Sequence, residues 1–594
     1  MRFPSLNLVL AATAAVARRF PWPVAAAAVS TVSGLLLIDS GIEDKPVLRW
    51  MAAGTLGLAL LTGLTLAGER RSPRVALLLP LAGVAVLAAV FWLWPRWSEP
   101  VQLRRYFQLS LGFHFLVAWL PYAGRAEANG FWQYNRRLFL RFLLGALYSA
   151  VLFVGLSIAL VALDKLLGAD VDEDVYFRLW MVIAFSFQTL FFLGGLPSSF
   201  PALESDTRHP TGLKVFSQFI LLPIVVLYLA ILTCYMAKIG ITQVWPSGWI
   251  GYLVSSVAAV GILSLLLVHP VQERAENRWV KTYGRWFYIA LFPSIVMLLL
   301  AVWKRIGQYG VTENRYFLVV LSLWLTGIAV YFTVSRVKSI KIIPLSLCSL
   351  AFLTCFGPWG AYAVSARSQL GRLESLLARS GMLDAGAVHP RGEPVAFEDR
   401  REISAALDYL LRTHGRSAVD RRLHWPAPAD TTPPLGGNQA RVLLSAVDLE
   451  YVERWAGRDQ RYFHLYPGHP PRAVAVSGYD YAVRADSGLP FRVAIGAREL
   501  EFSLAQAPPA ILIREDALEL ARISLGPVIA LAENRRDESP PGGPQVEPLL
   551  LTAEGNGLRV QARILNVNGE FEGDTGRIRS LQADFHLSLE PPPE

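Results

Sequence analysis

Charged and aromatic side chains gather where long apolar runs end, and these are the residues best placed to do chemistry. Asp164 and Lys165 close one run and Arg178 opens the next. Lys238 closes another, with Trp245 beyond it, and Lys304 and Arg305 close a third. The string YGVTENRY, with Tyr309, Thr312, Glu313, Arg315 and Tyr316, opens the run that follows. Within it Gly310 permits a tight turn. Thr312 is placed to cap a helix, and Glu313 in the first turn suits the helix dipole. Arg315 would then point back toward the headgroup layer. Anion binding is one chemistry that fits. Lys304, Arg305 and Arg315 would grip a phosphate while a helix N-terminus adds backbone donors. Glu313 and Asp164 would orient the basic groups or act as general bases. The expected ligand-binding set is Asp164, Lys304, Arg305, Tyr309, Glu313 and Arg315. The same residues also fit interfacial anchors and ion pairs that close a loop, since loops carry charge in any membrane topology.

Other strings say less. The loop DSGIEDKP holds Asp39, Glu43 and Asp44. A transferase using a lipid-linked donor can place a catalytic carboxylate in such a loop, but an ordinary solvated acidic loop fits the string better. His464 and His469 flank LYPG with Asp459 nearby, short of the three or four spaced ligands of a zinc site. NVNGEFEGDTG lacks calcium-loop spacing and reads as a hairpin turn. No GxSxG, phosphate-loop or GxGxxG constellation stands out. The three cysteines, Cys234, Cys348 and Cys355, all lie in apolar runs. They read as small packing residues, with no disulfide framework. No metal and no cofactor is expected.

The elements that must position these residues are membrane spans. Of 594 residues 53% are hydrophobic and 17% charged, against about 25% charged in soluble chains. A span needs about 20 mostly apolar residues. About eleven runs qualify: 22–38, 49–67, 75–95, 104–122, 139–164, 177–196, 216–237, 249–268, 286–303, 315–333 and 343–363. In the last, Pro344 lies in the first turn and Gly357-Pro358 interrupts the end. Apart from His114, which reads as a packing residue, no Asp, Glu, Lys, Arg or His sits near the middle of a span. That weakens the case for an ion-coupled pump, because such residues are costly in lipid and kept for function. Gly145 with Ser149, and Gly251 with Ser255, suit close helix packing.

The net charge of +9 has its explanation in the loops. With the N-terminus inside, the inner segments hold Arg18, Arg19, Arg70, Arg71, Arg74, Arg136, Arg137, Arg208, Lys214 and Lys341, while the outer ones include DKLLGADVDEDVY. The positive-inside rule therefore favours a cytoplasmic N-terminus. Nucleic acid is not an expected partner. An odd number of spans then puts the C-terminal region in the periplasm of a Gram-negative cell.

The expected fold is a polytopic α-helical membrane bundle followed by a soluble α+β domain rich in antiparallel β. Residues 1–21 form a cytoplasmic interfacial segment, with 5–19 a short surface helix and no cleaved signal. Residues 22–364 form the transmembrane domain, 365–420 a juxtamembrane helical segment and 421–594 a β-rich periplasmic domain. SQLGRLESLLARSG and FEDRREISAALDYLLRTHG follow the helical period, with Gly381 and Gly415 as stops. HWPAPADTTPPLGGN is loop. RVLLSAV, RAVAVSG, YAVRAD, FRVAIGA, LEFSLA, AILIRE, LRVQARIL and LQADFHLSLE are β-type runs, best arranged as an antiparallel sandwich or roll.

Several strings between about 136 and 420 resemble a bacterial membrane family catalogued as domain of unknown function 4153. They are RFLLGALYSAVLFVGLSIALVALDKL, TGLKVFSQFILLPIVVLYLAILTCYMAKI, VWPSGW, RIGQYGVTENRY, IPLSL, FGPWGAYAVSARSQ and REISAALDYL. The resemblance implies an integral membrane protein of the bacterial envelope, without an activity or catalytic residues to carry over. The expectation is a multi-pass inner-membrane protein, not an enzyme, that binds or passes a lipid-like or anionic ligand at its outer face. Membrane lipids are the expected partners, with a periplasmic protein or envelope glycolipid beside them. Two alternatives stay open: a transferase with an outer-face carboxylate, and a structural subunit of an envelope complex.

Overall fold

The computed structural model describes residues 6–40, 45–93, 100–242, 249–271, 278–336, 338–391, 393–426, 439–452, 462–465, 476–484, 489–496, 498–516, 518–534, 549–572 and 575–589. The chain forms two compact units, Met1–Ser375 with Tyr409–His424, and Leu376–Asp408 with Trp425–Glu594.

The first unit is helical. Leu6–Arg19 (α1) ends at Phe20, and Pro21–Ser40 (α2) begins at once. Lys45–Gly68 (α3), Pro73–Leu93 (α4), Pro100–Trp119 (α5) and Ala128–Leu167 (α6) follow. Next come Glu173–Gly194 (α7), Thr211–Thr242 (α8), Trp249–Val268 (α9), Arg278–Tyr309 (α10) and Glu313–Val334 (α11). Ile342–Cys355 (α12) and Ala361–Arg379 (α13) complete the run. Among the described residues nine of these are long and apolar enough to cross a membrane. The protein is thus a multi-pass membrane protein. The expected runs at 104–122 and 343–363 are the two outside that nine. The first is helical as α5, but Gln102, Arg104, Arg105 and Gln108 dilute its apolarity. The second is cut short, because α12 has 14 residues. Gly357 turns at φ +81°, Pro358 cannot continue the helix, and residues 361–363 belong to the next one.

Small and polar side chains set how closely the helices meet. A Cβ on Gly145 would stand 2.5 Å from Gln188 Oε1, so glycine there lets α6 and α7 approach. Ser149, one turn on, donates to the same oxygen at 3.1 Å. Facing that contact, Val182–Phe187 of α7 is wound as a π-helix, and Ser186 meets Thr31 of α2 at 2.9 Å. At the other end Arg70 lies with its side chain 6% exposed, between the rings of Tyr122 and Phe200, and pairs with Glu127 at 2.5 Å. The basic loops named above thus fold into fixed structure. Gln133, 1% exposed, donates to the Asp206 and Arg208 carbonyls, and Lys341 donates to the Arg125 carbonyl at 2.6 Å.

The second unit holds most of Phe397–His414 (α14) and two antiparallel sheets. A two-stranded ribbon pairs Leu383–Asp384 (β1) with Ala387–Val388 (β2). Tyr462–Leu465 (β3), Tyr481–Arg484 (β4), Leu550–Gly555 (β9), Leu558–Glu572 (β10) and Thr575–Leu589 (β11) form one sheet. Phe491–Ile495 (β5), Arg498–Gln506 (β6), Pro509–Glu515 (β7) and Leu518–Ser524 (β8) form the other in sequence order. Alternation decides what is buried. In β10 residues 558, 560, 562 and 564 point inward, a bulge falls between Ile564 and Asn566, and the inward set continues from Val567. Phe502, Ile511 and Ile513 of one sheet share a core with Val560, Phe585 and Leu587 of the other.

One sequence expectation fails in this unit, and another holds over a shorter stretch than expected. RVLLSAV, expected as strand, lies in the helix Gln439–Ser445 (α15). Ala440, Leu443, Leu444 and Val447 are all buried, and that spacing is helical, so packing of one face overrides the β tendency of Val442. NVNGEFEGDTG, expected as a hairpin turn, does join the antiparallel pair β10 and β11, but strand runs to Glu572 and resumes at Thr575, so most of the string is strand. Most of HWPAPADTTPPLGGN and of RAVAVSG, with Glu43, Asp44, Trp245, Asp459 and His469, lies outside the described residues.

Candidate functional site

Among the described residues of the first unit, Glu313 is a buried carboxylate that four side chains meet. It opens α11 and is 3% exposed. Thr312 occupies the cap position with extended backbone, yet its hydroxyl makes no capping bond, contrary to the sequence expectation. The carboxylate collects donors from three other segments instead. Ser365 Oγ of α13 donates to Oε1 at 3.0 Å. His414 Nε2 lies 3.2 Å from Oε1, and Tyr409 Oη donates to Oε2. Arg104 Nη1 of α5 stands 3.3 Å from Oε2. Burial, with the Glu313 charge beside it, holds the Tyr409 phenol well above its ordinary range, so it remains a donor.

This cluster superficially resembles a serine–histidine–carboxylate relay, but its wiring differs. A relay needs the serine on one imidazole nitrogen and the carboxylate on the other. Here Ser365 Oγ, at 3.3 Å, and Glu313 Oε1 meet the same Nε2 of His414. The arrangement is a receptor for a carboxylate, filled by the protein's own Glu313.

The loop before Glu313 is clamped to α13. Gly310 has φ +68°, as its turn demands, and a Cβ there would stand 2.7 Å from Gln369 Nε2. Gln369 donates to the carbonyls of Tyr309 and Val311, and Val311 N donates to Ser368 Oγ at 2.9 Å. Arg315 Nη1 reaches back to the carbonyls of Tyr309 and Gly310, at 3.1 and 2.6 Å. Its guanidinium lies 5.5 Å from the Tyr309 ring.

On the other side of the same turn a cleft of about 550 Å³ opens between α9, α10 and α11. Such a volume lies within the usual range of small-ligand sites. Arg305, Asn314 and Arg315 form its polar end. Leu298, Val302, Phe317, Leu318 and Leu321 line the rest, with the hydroxyls of Ser255 and Ser256 on α9. Gly251 lets α9 approach Leu318, since a Cβ there would already sit 3.1 Å from that side chain. No carboxylate is among the described lining residues.

The expected site residues therefore divide. Arg305 and Arg315 come together in the cleft, and Tyr309 holds Arg315 from the loop. Glu313 belongs to the cluster behind them. Lys304 precedes Arg305 but is not a lining residue. Asp164 is paired locally, with Lys165 Nζ at 2.7 Å and the Val171 N–H at 3.3 Å. Among the other loop carboxylates, Asp39 pairs with Arg178 at 2.7 Å. The sequence expectation did not include Arg104, Ser365, Tyr409 or His414. One signal was present: RIGQYGVTENRY, FGPWGAYAVSARSQ and REISAALDYL supply Glu313, Ser365 and Tyr409 in turn. Among the described residues no group of three or more His, Cys, Asp or Glu is placed to hold a metal ion.

A family model described as Domain of unknown function (DUF4153) matches residues 23–387. The match begins earlier than the resemblance seen by eye and ends before Tyr409. Uncharacterized protein PM1469 of Pasteurella multocida (strain Pm70) is 30% identical over 176 residues, which are 29% of this chain and 29% of that protein. The chain thus spans less than a third of the length of that relative. No solved structure matches the chain significantly.

Proposed function

The chain belongs to the DUF4153 family, and on that premise we propose that its membrane unit binds an anionic amphiphile, a lipid with a phosphate headgroup, in the cleft between α9, α10 and α11. The observation that carries this reading is that two arginines, Arg305 and Arg315, line a cleft whose other described lining residues are mostly apolar. Arg305 makes no ion pair with any described residue, and Asn314 adds an amide beside it. Arginine suits phosphate because its planar fork donates two bonds at once. The apolar walls favour a chain over a small soluble anion.

Direct binding to the purified full chain in neutral detergent tests this, read by native mass spectrometry with phosphatidylglycerol and phosphatidylcholine as probes. Phosphatidylglycerol is expected to bind at least about tenfold more tightly. Alanine at both Arg305 and Arg315 should weaken it roughly 100-fold, from two charge-assisted hydrogen bonds at the low end of their range. Equal binding of the two lipids, or unchanged binding by the double variant, overturns the reading. So does full competition by inorganic phosphate at concentrations near the lipid's, which would mark a free-anion site.

The cleft belongs to the outer leaflet of a bacterial inner membrane in this reading, with the C-terminal unit periplasmic. Support comes from the basic segments at the opposite helix ends. A periplasmic protein or envelope glycolipid is then the second unit's expected partner. A reporter active only in the periplasm, fused after residue 594, is expected to be active; silence with normal expression reverses the orientation.

A further inference from the structure

Glu313 does not line the cleft, yet Asn314 and Arg315, the next two residues, do. With 3.6 residues per turn, positions two apart lie roughly 200° apart around a helix. Glu313 and Arg315 therefore leave opposite faces of the first turn of α11. One face is held by Ser365, Tyr409, His414 and Arg104. The other carries Arg315, a residue that lines the cleft. The loop that leads in is tied to Ser368 and Gln369 of the same helix that supplies Ser365. Arg315 is bonded to that loop by two backbone carbonyls.

We infer that the Glu313 cluster is a latch that regulates the cleft, so that ligand occupancy and docking of Tyr409–His414 on Glu313 are thermodynamically linked. The inference rests on the reading of the cleft as a lipid-phosphate site. Its physical basis is the rigidity of one helical turn. Held by the latch, the turn keeps Asn314 and Arg315 aimed into the cleft before a ligand arrives, which lowers the ordering cost of binding. Released, the turn and its loop gain freedom that binding must remove. Linkage is reciprocal: a ligand that binds the ordered turn better must also favour the docked latch. The residues that supply the latch and the residues that touch ligand are different, so the two can be altered separately.

The test uses the purified full chain in neutral detergent with phosphatidylglycerol as probe. Two variants alter only the latch. Glu313→Gln keeps the shape and removes the charge, and Tyr409→Phe removes one hydroxyl. Both are expected to weaken phosphatidylglycerol binding about fivefold or more, within the usual span of coupling between sites. Saturating phosphatidylglycerol is expected to slow amide hydrogen exchange at residues 409–414 in the unmodified protein, and to slow it less in Glu313→Gln. If Glu313→Gln does not fold, Tyr409→Phe carries the test. The latch is overturned if phosphatidylglycerol binds in an Arg305- and Arg315-dependent way while the folded variants bind as tightly as the parent and exchange at 409–414 ignores the lipid. Failure of phosphatidylglycerol to bind the parent protein has a different signature. It removes the cleft reading itself, and the latch with it.

Discussion

Glu313→Ala is expected to destabilise the membrane unit by about 3–5 kcal/mol, the cost of removing one partner from a buried charge network. The carboxylate is 3% exposed, and two of the groups it leaves behind are shut away from water. Ser365 is fully buried, and the His414 side chain is 6% exposed. An abandoned buried donor costs about 1–3 kcal/mol. Only Arg104, with its side chain 47% exposed, regains solvent freely. Thermal unfolding in detergent, followed by size-exclusion recovery, measures the effect. Asp164→Ala is the matched control and is expected to change little, because its Lys165 partner is 77% exposed. If the two variants melt together, the view of Glu313 as a buried tie is wrong.

Phe502→Ala is expected to cost the β-rich unit about 3–5 kcal/mol, the usual range for an aromatic truncated in a packed core. Phe502 and Phe585 are each fully buried, on different sheets, with ring centroids 4.8 Å apart. Phe491 stacks on Phe502 at 4.7 Å within the first of those sheets. Removing one ring opens a cavity under both its neighbours. Phe585→Ala should cost a similar amount, and the double variant less than the sum, since the two truncations share one cavity. Limited proteolysis of the full chain under increasing urea reads this out through cleavage within residues 425–594. An additive double variant would show that the two sheets do not pack through these rings.

Helical periods and apolar length made most of the architecture legible. Each expected span but the last lies mostly on one helix, α13 and α14 follow the amphipathic strings, and β4, β5, β6, β7, β10 and β11 fall on alternating runs. These features are local: a run of about 20 apolar residues has few other ways to satisfy its backbone in lipid. RVLLSAV was misread because a short apolar run suits either period, and burial of one face decides between them. The break after Cys355 was visible as Gly357-Pro358, but that the chain restarts as helix at Ala361 was not.

Residue order alone places charge and aromatic groups at the ends of the spans, and makes YGVTENRY a tight turn into a helix. It also singled out Arg305, Glu313 and Arg315. Folding separates these three, because Glu313 is not among the residues that line the cleft with Arg305 and Arg315. Two of them face a cleft, while Glu313 turns the other way to Ser365, Tyr409 and His414. The physical reason is that a charge pattern fixes which residues lie near one end of a bundle. Which face of the turn each side chain leaves by, and what meets it there, depends on helices distant in the chain, as Tyr409 is from Glu313 at a separation of 96.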